Sequence, residues 1–126
     1  MRSAALFAAR MLIGALLVAG ALQKAVDPAP ASALLALQGL PGALVWPALV
    51  YDALAGALLW AGFAVRPVTV SAAFYCGVTS LFHLALFLEA GDPWQVTIFV
   101  KNWAIAGGCL ALAVAGSGRW AVRPDV

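Results

Sequence analysis

The chain has 126 residues, of which 65% are hydrophobic and only 10% charged, with a mean hydropathy of +1.01 and a formal net charge of +2. Charged residues make up about a quarter of an ordinary soluble domain, which excludes that class; the small, scattered positive charge, with neither a basic block nor an acidic tail, excludes a nucleic-acid surface. A bilayer is crossed by roughly 20 apolar residues, so four crossings with short turns use the whole length and leave one all-α unit, an integral membrane protein in contact with the lipid bilayer.

The first apolar run covers 4–22 and is followed by Lys24 and the break Asp27-Pro28 with Pro30. Arg2, this run and the small residues near 19–21 also have the texture of a secretory signal peptide. Against that, Arg10 lies inside the apolar run, and cleavage would divide the basic residues between two sides of the membrane. Residues 31–39 carry leucines at 34, 35 and 37 and are too few to cross, so a short amphipathic helix lying at the interface is expected there. The second run is 42–65, opened by Pro41-Gly42; the third is 68–88, after Arg66-Pro67; the fourth is 96–116, after Gly91-Asp92-Pro93 and before Ser117-Gly118. Short turns after runs two and three make their neighbours antiparallel, which predicts an up-and-down bundle of four transmembrane helices, spans one to four.

Arg2, Arg66, Arg119 and Arg123 then share one side, while Lys24, Asp27, Glu89 and Asp92 share the other. By the positive-inside rule the arginine side is cytoplasmic, both termini with it, in a multi-pass protein of the cell membrane. Trp46, Trp94, Trp103 and Trp120 read as interface anchors near span ends. Ala53, Gly56 and Ala57 in span two, and Ala104, Gly107, Gly108 and Ala111 in span four, read as close-packing residues.

Asp52 interrupts an otherwise uncharged stretch, and a charge near the bilayer centre costs at least ~2.5–3.5 kcal/mol, so it must face protein, water or a ligand. It lies about nine residues, ~14 Å, below the outer end of span two. His83 is about six residues, ~9 Å, below the outer end of span three, Lys101 and Asn102 are similarly deep in span four, and Lys24 closes span one. One shared polar pocket in the outer half is the expectation, with flexible lysine stems closing the gaps. Tyr75, Thr79 and His83, four residues apart, fall on one face of span three and point inward. In the inner half Arg10 either snorkels to the headgroups or pairs with a backbone carbonyl.

Arg10; Lys24 with Asp27-Pro28; Gly39-Leu40-Pro41; Asp52 to Gly56 with Arg66; Leu81-Phe82-His83; Phe99, Lys101 and Asn102 with Gly107-Gly108; and Gly116, Gly118 and Arg119 form an ordered series over the whole chain. In this series the chain resembles the DoxX family of small four-helix membrane proteins. Two departures stand out, aspartate at 52 where the family usually has glutamate and alanine at 21 where it often has glycine. The resemblance implies association with membrane redox work, as in a thiosulfate-oxidising, quinone-reducing system. It carries over to Lys24, Asp52, His83, Lys101 and Asn102 as ligand-binding candidates.

The residue inventory limits that chemistry. One histidine cannot ligate a haem on both sides, and His83 with Cys76 and Cys109 on two helices lacks the spacing of a zinc, copper or iron–sulfur site. No Cys-x-x-Cys and no phosphate-binding glycine loop occur, and the two cysteines read as small apolar filler. No intrinsic cofactor is therefore expected. Quinone is the one carrier the chain could hold alone, its carbonyls bonded by His83, Lys101 or Asn102 and its protons handled by Asp52 and His83, the catalytic candidates. The electron donor must then be a partner redox protein. The alternatives are a non-catalytic anchor or assembly factor, in which the polar groups only fix helix register, and a proton or small-solute pathway. The oligomeric state stays open, a homo-oligomer included.

Overall fold

A computed structural model describes residues 1–124 and shows five α-helices. Helix α1 is Arg2–Val26, α2 Ala29–Leu37, α3 Val45–Ala61, α4 Val65–Ala90 and α5 Pro93–Ala115, with a 3-10 turn at Gly42–Leu44 leading into α3. Four of them, α1, the 3-10 turn with α3, α4 and α5, are long and apolar enough to cross a membrane. The all-α, four-span architecture expected from the sequence is observed, with α2 the short helix between spans one and two.

The boundaries have local causes. Helix α1 runs on to Val26 because the first obstacle is Pro28, which disfavours helical backbone at the residue before it; Asp27 is extended (φ −146°, ψ 96°). Span two ends earlier than expected, at Ala61, because Gly62 takes a left-handed conformation (φ 75°) and Phe63 N–H closes back onto Leu58 O at 3.0 Å. Span three correspondingly starts earlier, at Val65. Pro67 does not break it, since it falls in the first turn, where a missing N–H is no loss. Span four starts at Pro93 because Asp92 caps it, its side chain accepting from Trp94 N–H at 3.1 Å.

Helix α1 packs chiefly on α3, and α4 chiefly on α5, while contacts between these two pairs are sparse. Leu17, Ala55, Leu59, Val65 and Leu112 form a core at the end that carries the arginines. Ala72, Ala73, Cys76, Ala106 and Cys109 fill the α4–α5 seam, where both thiols are free and buried. No more than 17–28% of each span's most apolar stretch is buried inside the chain, so most of each span is not enclosed by its neighbours; Leu12, Phe74, Leu88 and Val114 are 73–80% exposed.

The close-packing glycines are not all those expected. A Cβ at Gly56 would lie 2.7 Å from Val18 and 2.9 Å from Gly14 O, and one at Gly14 would lie 2.6 Å from the Trp60 ring, so this pair sets the α1–α3 approach. At Gly107 a Cβ would meet nothing within 4 Å, and at Gly108 only Ile13 at 3.9 Å, so these two do not bring helices together within the chain. Trp46, Trp94 and Trp120 are exposed near helix ends, as expected of anchors. Trp103 is not at an end: it sits roughly three turns into α5, and its ring lies 3.4 Å from the position a Gly77 side chain would take.

Arginines close the helix ends at the basic side. Arg10 is fully buried and donates to Leu59 O at 2.9 Å, to Trp60 O and to Trp120 O, pairing with carbonyls and not reaching the headgroups. Arg66 donates to Ala113 O and Val114 O at 2.9 and 2.6 Å, and Arg2 to Ala115 O at 3.2 Å. The C-terminal carbonyls of α3 and α5, which have no partner within their own helices, are thereby satisfied by cations at the negative ends of the helix dipoles. The segment after α5 folds back to join them, with Val122 N–H on Ala61 O at 2.9 Å and Arg123 N–H on Gly62 O at 3.2 Å.

Candidate functional site

At the other end of the bundle the sparse packing between the α1–α3 and α4–α5 pairs leaves a cavity of about 550 Å³. Its walls come from α1, α3, α4 and one residue of α5, and α2 roofs it with Leu34 and Leu35. The lining is mostly apolar, and its polar members are Gln23, Lys24, Asp52, Tyr75, Thr79, His83 and Asn102. A few placed polar groups in an apolar hollow of several hundred Å³ is the usual composition of a small-molecule site. A second hollow of about 640 Å³ adjoins it between α1 and α2 and shares Gly20, Gln23, Lys24, Ala31, Leu34 and His83 with it.

Asp52 is the polar centre. Its Oδ2 accepts from Lys24 Nζ at 2.6 Å, with the aspartate side chain 3% and the lysine side chain 21% exposed. Gly20, one turn before Lys24, makes room for the pair: a Cβ there would stand 3.1 Å from Asp52 Oδ2 and 3.7 Å from Lys24 Nζ. The other oxygen, Oδ1, is buried and has no hydrogen-bond partner. Tyr75 neighbours the carboxylate from α4, and its ring stacks at a tilt on Tyr51, centroids 4.6 Å apart. Tyr51 in turn shares a hydrogen bond with Ser71 at 2.8 Å, tying α3 to α4 below the cavity.

His83 lines both hollows but is not bonded to Asp52; its Nδ1 pairs with Gln95 Oε1 at 2.8 Å. Gln95 Nε2 donates to Asp92 Oδ2 at 3.2 Å, so the α5 cap holds the glutamine and the glutamine holds the imidazole. The α4 stripe of Tyr75, Thr79 and His83 lies on the cavity wall as its four-residue spacing requires.

Of the five sequence-derived ligand candidates, the structure gathers Lys24, Asp52, His83 and Asn102 around one cavity and leaves Lys101 outside it. Lys101 is exposed on α5 while Asn102 is half-buried. Consecutive helical residues are turned by about 100° from each other, so these two cannot both face inward. Gly20 and Gln95 were missed. The signal for Gln95 was in the sequence: aspartate followed three residues later by glutamine, with proline between, is the signature of a helix start. Gly20 carried no signal of its own, since its role depends on which helix faces α1. Among the described residues no three His, Cys, Asp or Glu side chains come together as a metal ligand set requires.

The arrangement can bind an apolar molecule with polar ends, accept a proton at Asp52 or His83, and offer donors from Lys24 and Asn102. Comparison of the chain with protein-family models, with curated proteins and with solved structures finds no match in any of the three.

Proposed function

We propose that this multi-pass membrane protein is a DoxX-like membrane subunit of a redox complex, and that it takes a quinone into the cavity beneath α2. One observation carries the reading: a buried carboxylate oxygen, Asp52 Oδ1, stands without a partner on the wall of a largely apolar cavity of about 550 Å³. An unmatched buried acceptor costs roughly 1–3 kcal/mol. A bound molecule that brings a hydrogen-bond donor would remove that cost, which a quinone does once it has been reduced to its hydroxyl form. In this reading Asp52 and His83 handle protons, Lys24 and Asn102 bond the carbonyls, and electrons arrive from a separate polypeptide. The arginine end faces the cytoplasm of the cell membrane, which puts the cavity in the outer half.

The test is gentle extraction from the native membrane followed by native mass spectrometry. Bound quinone and a co-isolated oxidoreductase are expected, with the quinone lost in Asp52→Asn. A protein that carries no quinone and takes none up on titration refutes the reading.

The Lys24–Asp52 ion pair supports a second reading, since it bolts α1 to α3 and would serve an anchor or assembly factor equally well. There Asp52→Asn lowers thermal stability and membrane abundance in step with any loss of function.

A further inference from the structure

A molecule that enters the cavity beneath α2 has to pass one of its walls, and the walls differ in what holds them. The floor is the core of Leu17, Leu59, Val65 and Leu112, and the α4–α5 seam is filled by Ala72, Cys76, Ala106 and Cys109. Helix α1 is bolted to α3 by the Lys24–Asp52 pair and by the close approach at Gly14 and Gly56. Opening any of these breaks buried packing or strands a buried carboxylate.

Helix α2 is held by much less. None of its residues is buried, and it packs chiefly on the 3-10 turn beside it and sparsely on α3 and α4. Its backbone closes on itself: Ser32 N–H bonds Pro28 O, Gly39 N–H bonds Ala36 O and Leu40 N–H bonds Leu35 O, each at 3.0 Å. Among the described residues one side-chain hydrogen bond leaves the helix, from Ser32 Oγ to Gly42 O at 3.3 Å. A unit bonded within itself and weakly to its surroundings opens as a body at low cost. Both ends offer pivots. At one, Asp27 is extended (φ −146°) ahead of Pro28; at the other, Gly39 is left-handed (φ 72°), with nothing within 4 Å of where its Cβ would stand. Gly39 can therefore change its backbone angles without collision. There is also room to move, since Ala31 and Leu34 face both the cavity and the second hollow between α1 and α2.

We propose that α2 is a lid, swinging on Asp27–Pro28 and on Gly39, which lifts Leu34 and Leu35 off the cavity and admits a lipophilic molecule sideways from the surrounding lipid. The Ser32–Gly42 bond is its latch. This rests on the cavity being a ligand site, whatever the ligand.

The chain carries its own probe and control, because Cys76 lines the cavity while Cys109 is buried in the α4–α5 seam away from it. It also offers a lock: a Cβ at Gly42 would lie 3.4 Å from Ser32 Cβ, close to the ~3.8 Å of a disulfide. The full chain in lipid nanodiscs is treated with N-cyclohexylmaleimide, and the rate at each cysteine is read by peptide mass spectrometry for the parent, for Ser32→Ala, and for Ser32→Cys combined with Gly42→Cys, oxidised and reduced. In the parent Cys76 is labelled and Cys109 is not. The oxidised double variant labels Cys76 at least about tenfold more slowly than the same protein reduced, since labelling follows the population of the open state. Ser32→Ala labels it about two- to tenfold faster than the parent, the shift that loss of one hydrogen bond brings. Equal Cys76 rates in the oxidised and reduced double variant overturn the lid and leave the cavity a site that is open without it; so does an unchanged rate in Ser32→Ala, which decides the matter if the disulfide does not form. No labelling of Cys76 in the parent, the reduced double variant and Ser32→Ala alike overturns the cavity reading itself.

Discussion

Removing the lysine of the Lys24–Asp52 pair should harm the protein far more than neutralising the aspartate. At an N–O separation of 2.6 Å the attraction is about 6 kcal/mol with an effective dielectric constant of ~20. Desolvation of each ion, several kcal/mol in magnitude, cancels most of it. The two partners differ in what they do alone. Asp52 is 3% exposed and short, so Lys24→Met strands a carboxylate in an apolar wall, at a cost of about 3–5 kcal/mol. Lys24 is 21% exposed at the end of α1, and its stem can carry the ammonium out to the headgroups, so Asp52→Asn should cost no more than about 1–2 kcal/mol. Lys24→Met combined with Asp52→Leu should return to within about 1 kcal/mol of the parent, as buried ion pairs replaced by apolar residues do. Reversible unfolding in mixed micelles, measured on the parent, both single variants and the double variant, gives the cycle. If Lys24→Met is no worse than Asp52→Asn, or the double variant is as unstable as Lys24→Met, the argument from burial is refuted.

Arg10→Met should cost about 3–5 kcal/mol, since it removes a buried cation bonded to three carbonyls, and should release the tail: amide exchange at Val122 and Arg123 rises to that of free peptide. Gly62→Ala should cost more than the ~1 kcal/mol of a left-handed alanine, because its Cβ would run into the Arg10 guanidinium and Ala121; the melting temperature checks this. Gly56→Val should push α1 off α3 and lower stability by about 2–4 kcal/mol, while Gly107→Ala, in open space, should change thermal stability by less than ~0.5 kcal/mol.

The spans were legible because nothing but a membrane tolerates such runs, and the depth of Asp52, His83 and Asn102 was legible because a helix advances by a fixed rise per residue. Rotation was harder. The regular spacing of Tyr75, Thr79 and His83 settled one face of α4, whereas α5 is apolar on every side, so its sequence gave no sign that Asn102 faces in and Lys101 out. Pairing was harder still: that Lys24 meets Asp52 while His83 turns to Gln95 depends on which helices adjoin. Gly62 hid its turn because membrane helices carry glycine in their interiors more often than soluble helices do, which weakens glycine as a stop signal. The fold-back of 117–123 onto α3 depends on a buried Arg10 that spacing alone left with two possible fates.

The arginines at the basic end serve two readers. The insertion machinery counts them as charge, for which lysine would do equally well. The finished chain uses the fork of Arg10, whose Nη1 holds Leu59 O and Trp60 O at the end of α3 while its Nη2 holds Trp120 O of the folded-back segment, a two-nitrogen span that a single ammonium does not reproduce. Exchanging Arg10 for lysine would therefore separate two properties that are normally inherited together: the charge count that the insertion machinery reads would be unchanged, but the link from α1 to both the end of α3 and the folded-back segment would be lost. Orientation would survive as folding quality declined, so a reporter of topology alone would pass a protein whose architecture had begun to come undone.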